Sequence, residues 1–171
     1  MKVRSLLLVV MCLLFFAACG SSSPKSPTSP STSNTTPGSA PSAPMSASIG
    51  GTQWNAILPV GVAYVPAGNF ITINGTDTAG SAPAAKTIGF GLFVAGPGTY
   101  TINDQSFAAF QVSVGAQSWG AGGGYGGSGT VTFTKLTSNS ASGTFSFTGN
   151  PTGGGAIGTK AVTNGKFDVT F

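Results

Sequence analysis

The chain has no histidine and no glutamate, and its only arginine is Arg4. Without histidine the commonest general base is missing. Ser-His-Asp and Cys-His catalytic arrangements are excluded outright. The two cysteines, Cys12 and Cys19, both fall within the first twenty residues, so the rest of the chain offers no thiolate or imidazole ligand for zinc. Charged residues make up only 6%. The lysines are scattered, with no run and no arginine fork, which speaks against a nucleic-acid interface. The acids are Asp77, Asp104 and Asp168 alone. No cofactor is expected from this inventory.

What is present begins with an address. Lys2 and Arg4 precede an apolar run, Leu6 to Phe16, which is shorter than the roughly 20 residues that a membrane-spanning helix needs. Ala17, Ala18, Cys19 and Gly20 follow. The pattern is that of a cleaved secretory leader, and it resembles the leader of a bacterial lipoprotein. Phe16 stands where such leaders usually carry an aliphatic residue. Residues 1–18 are therefore read as a signal peptide and Cys19 as the lipidation site, its thiol taking diacylglycerol and its amine a further palmitoyl-type chain. Each buried methylene contributes about 0.8 kcal/mol, so two or three chains anchor stably where one does not. Cys12 would leave with the leader, and a mature chain with one cysteine forms no internal disulfide. Gly20, rather than Asp, resembles the outer-membrane sorting signal of Gram-negative lipoproteins. The expected location is the bacterial cell envelope, lipid-anchored at the outer membrane. The mature chain would carry five lysines against three aspartates, a net charge of +2, so the pI of 9.3 overstates its basic character.

Gly20 to Met45 holds nine Ser, six Pro and four Thr. With almost nothing apolar to bury, residues 19–45 are expected to be a disordered tether. A polyproline-like chain of that length reaches at most ~80 Å. Residues 46–171 have single-domain length and a β pattern. Strands are expected at Phe70–Asn74, Thr87–Val94, Gly98–Ile102, Ala108–Val114, Gly129–Leu136, Ser142–Thr148 and Lys166–Phe171, with weaker signals at Ala47–Ile49 and Val60–Val65. No segment shows a helical period. Turns are expected at Asn74-Gly75, Ala95 to Gly98, Thr137 to Ala141, Asn150 to Gly155 and Asn164-Gly165. Their spacing suits an all-β, antiparallel β-sandwich or partly open barrel of about eight or nine strands.

Alternation assigns the core to Ile71, Ile73, Phe90, Leu92, Tyr100, Ile102, Phe110, Val112, Val114, Val131, Phe133, Phe145, Phe147, Phe167 and Val169. Gly89 and Gly91 within one strand point to a bulge or to close packing. The segments starting at Gly129 and Gly143 should form a hairpin.

Several pieces line up in order: GGTQWNA at Gly50 to Ala56, GPGTYTI at Gly96 to Ile102, GTVTFTK at Gly129 to Lys135, GTFSFTG at Gly143 to Gly149 and NGKFDV at Asn164 to Val169. Together they resemble domain-of-unknown-function family 6252, small β-rich bacterial lipoproteins. The resemblance spans Met45 to Phe171 and implies location and fold; it brings no functional residues with it.

Candidate chemistry is sparse. Asp77 and Asp104 would make a carboxylate pair only if the fold united them. Each also sits in a turn-like context that suits Asp for local hydrogen bonding, or for a carbonyl-assisted calcium site. Gly120 to Gly129 contains seven glycines and Tyr125, with Trp119 just before. Its Gly-x-Gly-x-x-Gly spacing is not a dinucleotide fingerprint, because a strand follows where a helix should. The bland reading is a flexible hairpin loop. The sharper one is a candidate ligand-binding loop in which Trp119 and Tyr125 stack on a sugar or a partner surface. Trp54 reads as core. Thr-rich outer faces are the default for a low-charge β protein. Most of the expected strands are shorter than the roughly 9–11 residues that a spanning barrel strand needs, and a lipid anchor would be redundant beside one. The expectation is a non-enzymatic, lipid-anchored β domain with a binding or structural role, with a module binding carbohydrate or another envelope polymer as the alternative and an envelope-assembly accessory protein as a third option. Its partners would be the membrane and a glycan or another envelope protein.

Overall fold

The computed structural model describes residues 43–57, 60–77 and 84–171, with the side chain of Val114 excepted. The expected leader, Cys19 and most of the tether lie outside the described residues. Met45, assigned to the tether by composition, is instead the first residue of a strand and is fully buried.

Eleven strands occur in order: β1 Met45–Ile49, β2 Thr52–Asn55, β3 Gly61–Val65, β4 Phe70–Thr76, β5 Lys86–Phe93, β6 Gly98–Thr101, β7 Phe107–Val112, β8 Gln117–Gly122, β9 Ser128–Leu136, β10 Ser140–Gly153 and β11 Lys160–Thr170. All pairings are antiparallel, in the order β2-β1-β11-β10-β8-β7-β5-β4-β3, with β9 and β6 branching from β10. The sheet curls into a half-barrel. This agrees with the expected all-β class, with two strands more than the alternation revealed: β2 and β8.

β10 carries the architecture. One edge of it pairs with β11 from Ser140 to Gly149. Along the other edge β9 pairs from Ala141 to Thr148. Beyond Gly149 that same edge passes to β8, through Asn150 to Gly153. A single long strand thus belongs to both layers. The expected hairpin of the Gly129 and Gly143 segments is β9–β10. The expected turn at Asn150 to Gly155 is mostly strand, because β10 must run on to Gly153 to reach β8.

Two other expected turns are also strand. Asn74-Gly75 lies inside β4, where Gly75 gives room to Met45, Trp54 and Ala56. Asn164-Gly165 lies inside β11, at a register shift opposite Phe145 and Phe147. Asn164 takes the left-handed conformation there (φ 52°), one of the conformations by which a ladder accommodates an extra residue.

Burial follows the alternation. Twelve of the fifteen expected core residues are buried; Tyr100 and Val112 are partly buried against the core, and the Val114 side chain is not described. The Tyr100 hydroxyl leaves the core to bind the turn before β6, donating to the Gly96 carbonyl (2.7 Å) and accepting from the amides of Ala95 and Gly96. Four rings join the layers at the centre. Phe90 of β5 meets Phe145 of β10 at 5.3 Å and Phe167 of β11 at 5.5 Å, and Phe167 meets Phe133 of β9 at 5.3 Å.

Glycines make this possible. Gly165 faces Phe145 across the ladder and Gly143 faces Phe167. A methyl on Gly165 would lie 2.6 Å from the Phe145 ring, and one on Gly143 2.8 Å from that of Phe167. Gly91 in β5 seats Phe107 of β7 in the same way, at 2.5 Å. The strand of Gly89 and Gly91 keeps its register throughout, so close packing, not a bulge, explains those glycines.

Phe90 touches rings from the opposite layer, so Phe90→Ala should cost about 3–5 kcal/mol. Urea unfolding checks this; a loss below about 1 kcal/mol would show that the central cluster does not hold the layers together.

Candidate functional site

The glycine-rich segment after Trp119 is where sequence placed a candidate ligand-binding loop. The structure divides that segment. Trp119 is not in a loop. It lies on the inward face of β8, opposite Phe110 of β7 and Pro151 of β10. Its ring stacks on Phe110 at 5.5 Å and 24° and is only 4% exposed. The indole Nε1–H donates to the Gly158 carbonyl (3.0 Å) in the β10–β11 connection, and the Lys160 ammonium lies 4.8 Å from the ring centroid. Trp119 therefore binds a loop of its own domain and offers no open face to a sugar. This corrects the sequence-based expectation. The physical reason is that β8 continues through Gly120, Ala121 and Gly122, small residues that look like loop.

Nor is the segment a hairpin. β8 pairs with β7 and β10, and β9 with β6 and β10. Gly123 to Gly127 is a crossover between layers, closed by Gly122 N–H to Gly126 O and Tyr125 N–H to Gly122 O, both 2.9 Å. The glycines at 122, 123, 124, 126 and 127 all have positive φ, which non-glycine residues adopt at a cost. Tyr125 is 46% exposed. Its ring lies over Gly120, where a methyl would stand 3.2 Å from it, and its carbonyl accepts from the Asn150 side-chain Nδ2–H (3.1 Å). Of the two expected aromatics, only Tyr125 reaches solvent.

The carboxylates are not brought together. Asp77 follows β4; its Oδ1 accepts from the Lys86 amide (2.8 Å) at the start of β5. Asp104 is exposed in the turn before β7, where the Asn103 side chain accepts from Gln105 N–H (2.9 Å). Lys86 pairs with Val112 and Gly91 with Phe107, so the ladder sets about 17 Å of strand between the two acids. Asp168 is on the solvent face, as alternation required. Trp54, expected in the core, is buried and donates from Nε1 to the Lys86 carbonyl (3.2 Å).

One surface feature was not anticipated. Val65, Phe70 and Phe93 form a row across β3, β4 and β5 on the outer face. Phe70 and Phe93 meet edge-on at 4.9 Å. The signal was present: if Phe90 and Leu92 point inward, Phe93 must point out.

The model of one protein family, described as Domain of unknown function (DUF6252), matches residues 42–169. The chain belongs to the DUF6252 family. The match takes in ten strands whole and all but the last residue of β11, so the fold above is that of a DUF6252 domain. No curated protein and no solved structure matches the chain.

The two aromatics of the glycine-rich segment should respond differently to substitution. Trp119→Phe removes the donor to Gly158 and should cost about 0.5–1.5 kcal/mol or more. Tyr125→Ala should stay within about 0.5 kcal/mol, as befits a surface side chain. Equilibrium unfolding of both variants checks the pair; the reverse ranking would contradict the assignment of Trp119 to the core.

Proposed function

We propose that this protein is a lipid-anchored component of the bacterial cell envelope, at the outer membrane, whose DUF6252 domain has a binding or structural role and not a catalytic one. One observation carries the reading. A basic n-region, a short apolar run and Ala-Ala-Cys19-Gly are followed at once by a Ser/Pro/Thr tract that leads into the first strand of the domain. Acyl chains on Cys19 would hold the protein at the membrane, and the tract would space the domain from it.

The non-catalytic part rests on the residue inventory and the ladder. There is no imidazole, Cys19 lies far outside the domain in sequence, and the register keeps Asp77 and Asp104 apart. General acid–base and nucleophilic schemes both need partners within hydrogen-bond reach. A stacking site for sugar built on Trp119 loses its support, because that ring is enclosed by Phe110, Lys160 and the Gly158 loop.

In a Gram-negative host supplied with an alkyne analogue of palmitate, the wild-type chain should take up label and partition with membranes. Cys19→Ser should take up none. Label retained by the variant, or absent from the wild type, would overturn the anchor.

A further inference from the structure

Resting on the lipid-anchor reading, we propose a membrane-facing end for the domain: the rim formed by Tyr64, Val65, Phe70, Phe93 and Phe171 contacts the lipid surface to which Cys19 would tie the chain.

The first observation is where the chain leaves the described domain. Met45 pairs with Phe167, and β1 runs from there towards Ile49 opposite Val162. The residues before Met45 therefore run the other way along β11, towards Phe171. The Asp168 amide donating to the Pro44 carbonyl (2.9 Å) shows this directly. About 25 residues separate Pro44 from Cys19, and covalent attachment over such a span keeps a domain near its anchor at a raised effective concentration. Even a weak contact between domain and bilayer is then populated.

The second observation is what that end carries. Phe171 donates its amide to the Asn139 carbonyl, beside the β9–β10 turn, and its ring meets Tyr64 edge-on at 6.1 Å. Tyr64 precedes Val65, which begins the outer row Val65–Phe70–Phe93. The Val94 amide donating to Asn69 (2.7 Å) ties the β3–β4 and β5–β6 turns together at the same end. Val65 is 53% exposed, Phe93 54% and Phe171 39%. The rim thus joins two groups at one end of the half-barrel, the outer row Val65–Phe70–Phe93 and the Tyr64–Phe171 pair on the inner side of β3. Exposed apolar side chains grouped in this way, unlike single scattered ones, mark contact surfaces. Tyr is suited to the headgroup level, with an apolar ring and a polar tip. Lys135 lines the depression between Asn139, Thr170 and Phe171 and places an ammonium where lipid phosphates would lie. Asp77 is at the far end, past Thr76. Asp104, before β7, and the exposed Asp168 lie toward the rim end, so the apolar side chains and not the charge balance carry the contact.

The test uses the lipidated full chain in phosphatidylethanolamine–phosphatidylglycerol vesicles. With the Cys19 thiol acylated, a single introduced cysteine can carry an environment-sensitive fluorophore. Val65→Cys and Phe93→Cys report on the rim. Ile157→Cys, at an exposed position in the β10–β11 connection at the opposite end, is the control. Doxyl-labelled lipid should quench the probes at 65 and 93 several-fold more than the probe at 157, with a blue shift at the rim only, because interfacial contacts lie within about 5–10 Å of the headgroup boundary. Equal quenching at all three positions, or none at 65 and 93, overturns the inference while leaving the anchor intact. Cross-linking between two chains through the Phe93→Cys thiol, without quenching, assigns the rim to a second copy and also overturns it. Absence of acyl label on the wild-type chain is read separately and overturns both readings.

Discussion

A ring laid flat over its partner in a β-ladder has room only where that partner lacks a side chain, and at three places this domain pairs a phenylalanine with a glycine. Phe145 lies over Gly165, Phe167 over Gly143 and Phe107 over Gly91. Two of these rings, held down on their own layer, then project far enough to meet Phe90 from the other. A β-carbon at Gly143 would meet the Thr132 carbonyl as well as the Phe167 ring, and one at Gly165 the Phe145 carbonyl as well as its ring, so both seats are closed by backbone and ring together. Close packing at the centre of the half-barrel thus depends on the glycines as much as on the phenylalanines, and a chain with 27 glycines is not loose on that account.

The same economy of side chains explains β10 and β8. Where β9 ends, β10 must change neighbours within two residues, from Thr148 beside Ser128 to Asn150 beside Gly120. Gly149 lies at that change, with the backbone of Trp119 and Gly120 about 3.1 Å from where its methyl would be. The glycine-rich crossover from Gly123 to Gly127 lets β8 and β9 share one edge of β10 without being partners. Trp119 then closes the seam, bonded through its indole to the β10–β11 connection. What looked like a flexible binding loop is a joint between layers, and only Tyr125 stands at its surface.

Alternation made most of the sheet legible. Phe133, Phe145, Phe147, Phe167 and Val169 sit inward as the period-2 pattern dictated, because a one-residue slip would expose each of them. β8 was illegible because Gly120, Ala121 and Gly122 carry no alternation and look like loop. β2 was illegible because four residues after a Gly-Gly turn are too few to show a period. The Asn-Gly pairs misled for a different reason. Asn164 does adopt the left-handed conformation that such pairs favour, but inside a bulge and not at a hairpin. Of the candidate site, the separation of Asp77 and Asp104 required the ladder, and the burial of Trp119 required knowing that β8 existed. The outer row of Val65, Phe70 and Phe93 was latent in strand parity, yet only the register put its members side by side.

Within the proposed function, the division of labour is simple: the leader and tether supply attachment, and the half-barrel supplies a rigid body with an apolar rim at the end where the chain departs. That rigidity rests on rings seated on glycines, and a double-mutant cycle on Gly91 and Phe107 measures such a seat directly, because a methyl at Gly91 would meet only side-chain atoms of Phe107 and Thr72 within 3.0 Å. In the wild-type background Gly91→Ala should cost about 1–3 kcal/mol by overpacking. In a Phe107→Ala background, with the ring gone, the same substitution should be neutral or stabilising, giving a coupling of about 1 kcal/mol or more. An equal cost in both backgrounds would contradict the seat, and with it the explanation given for the glycines of this domain.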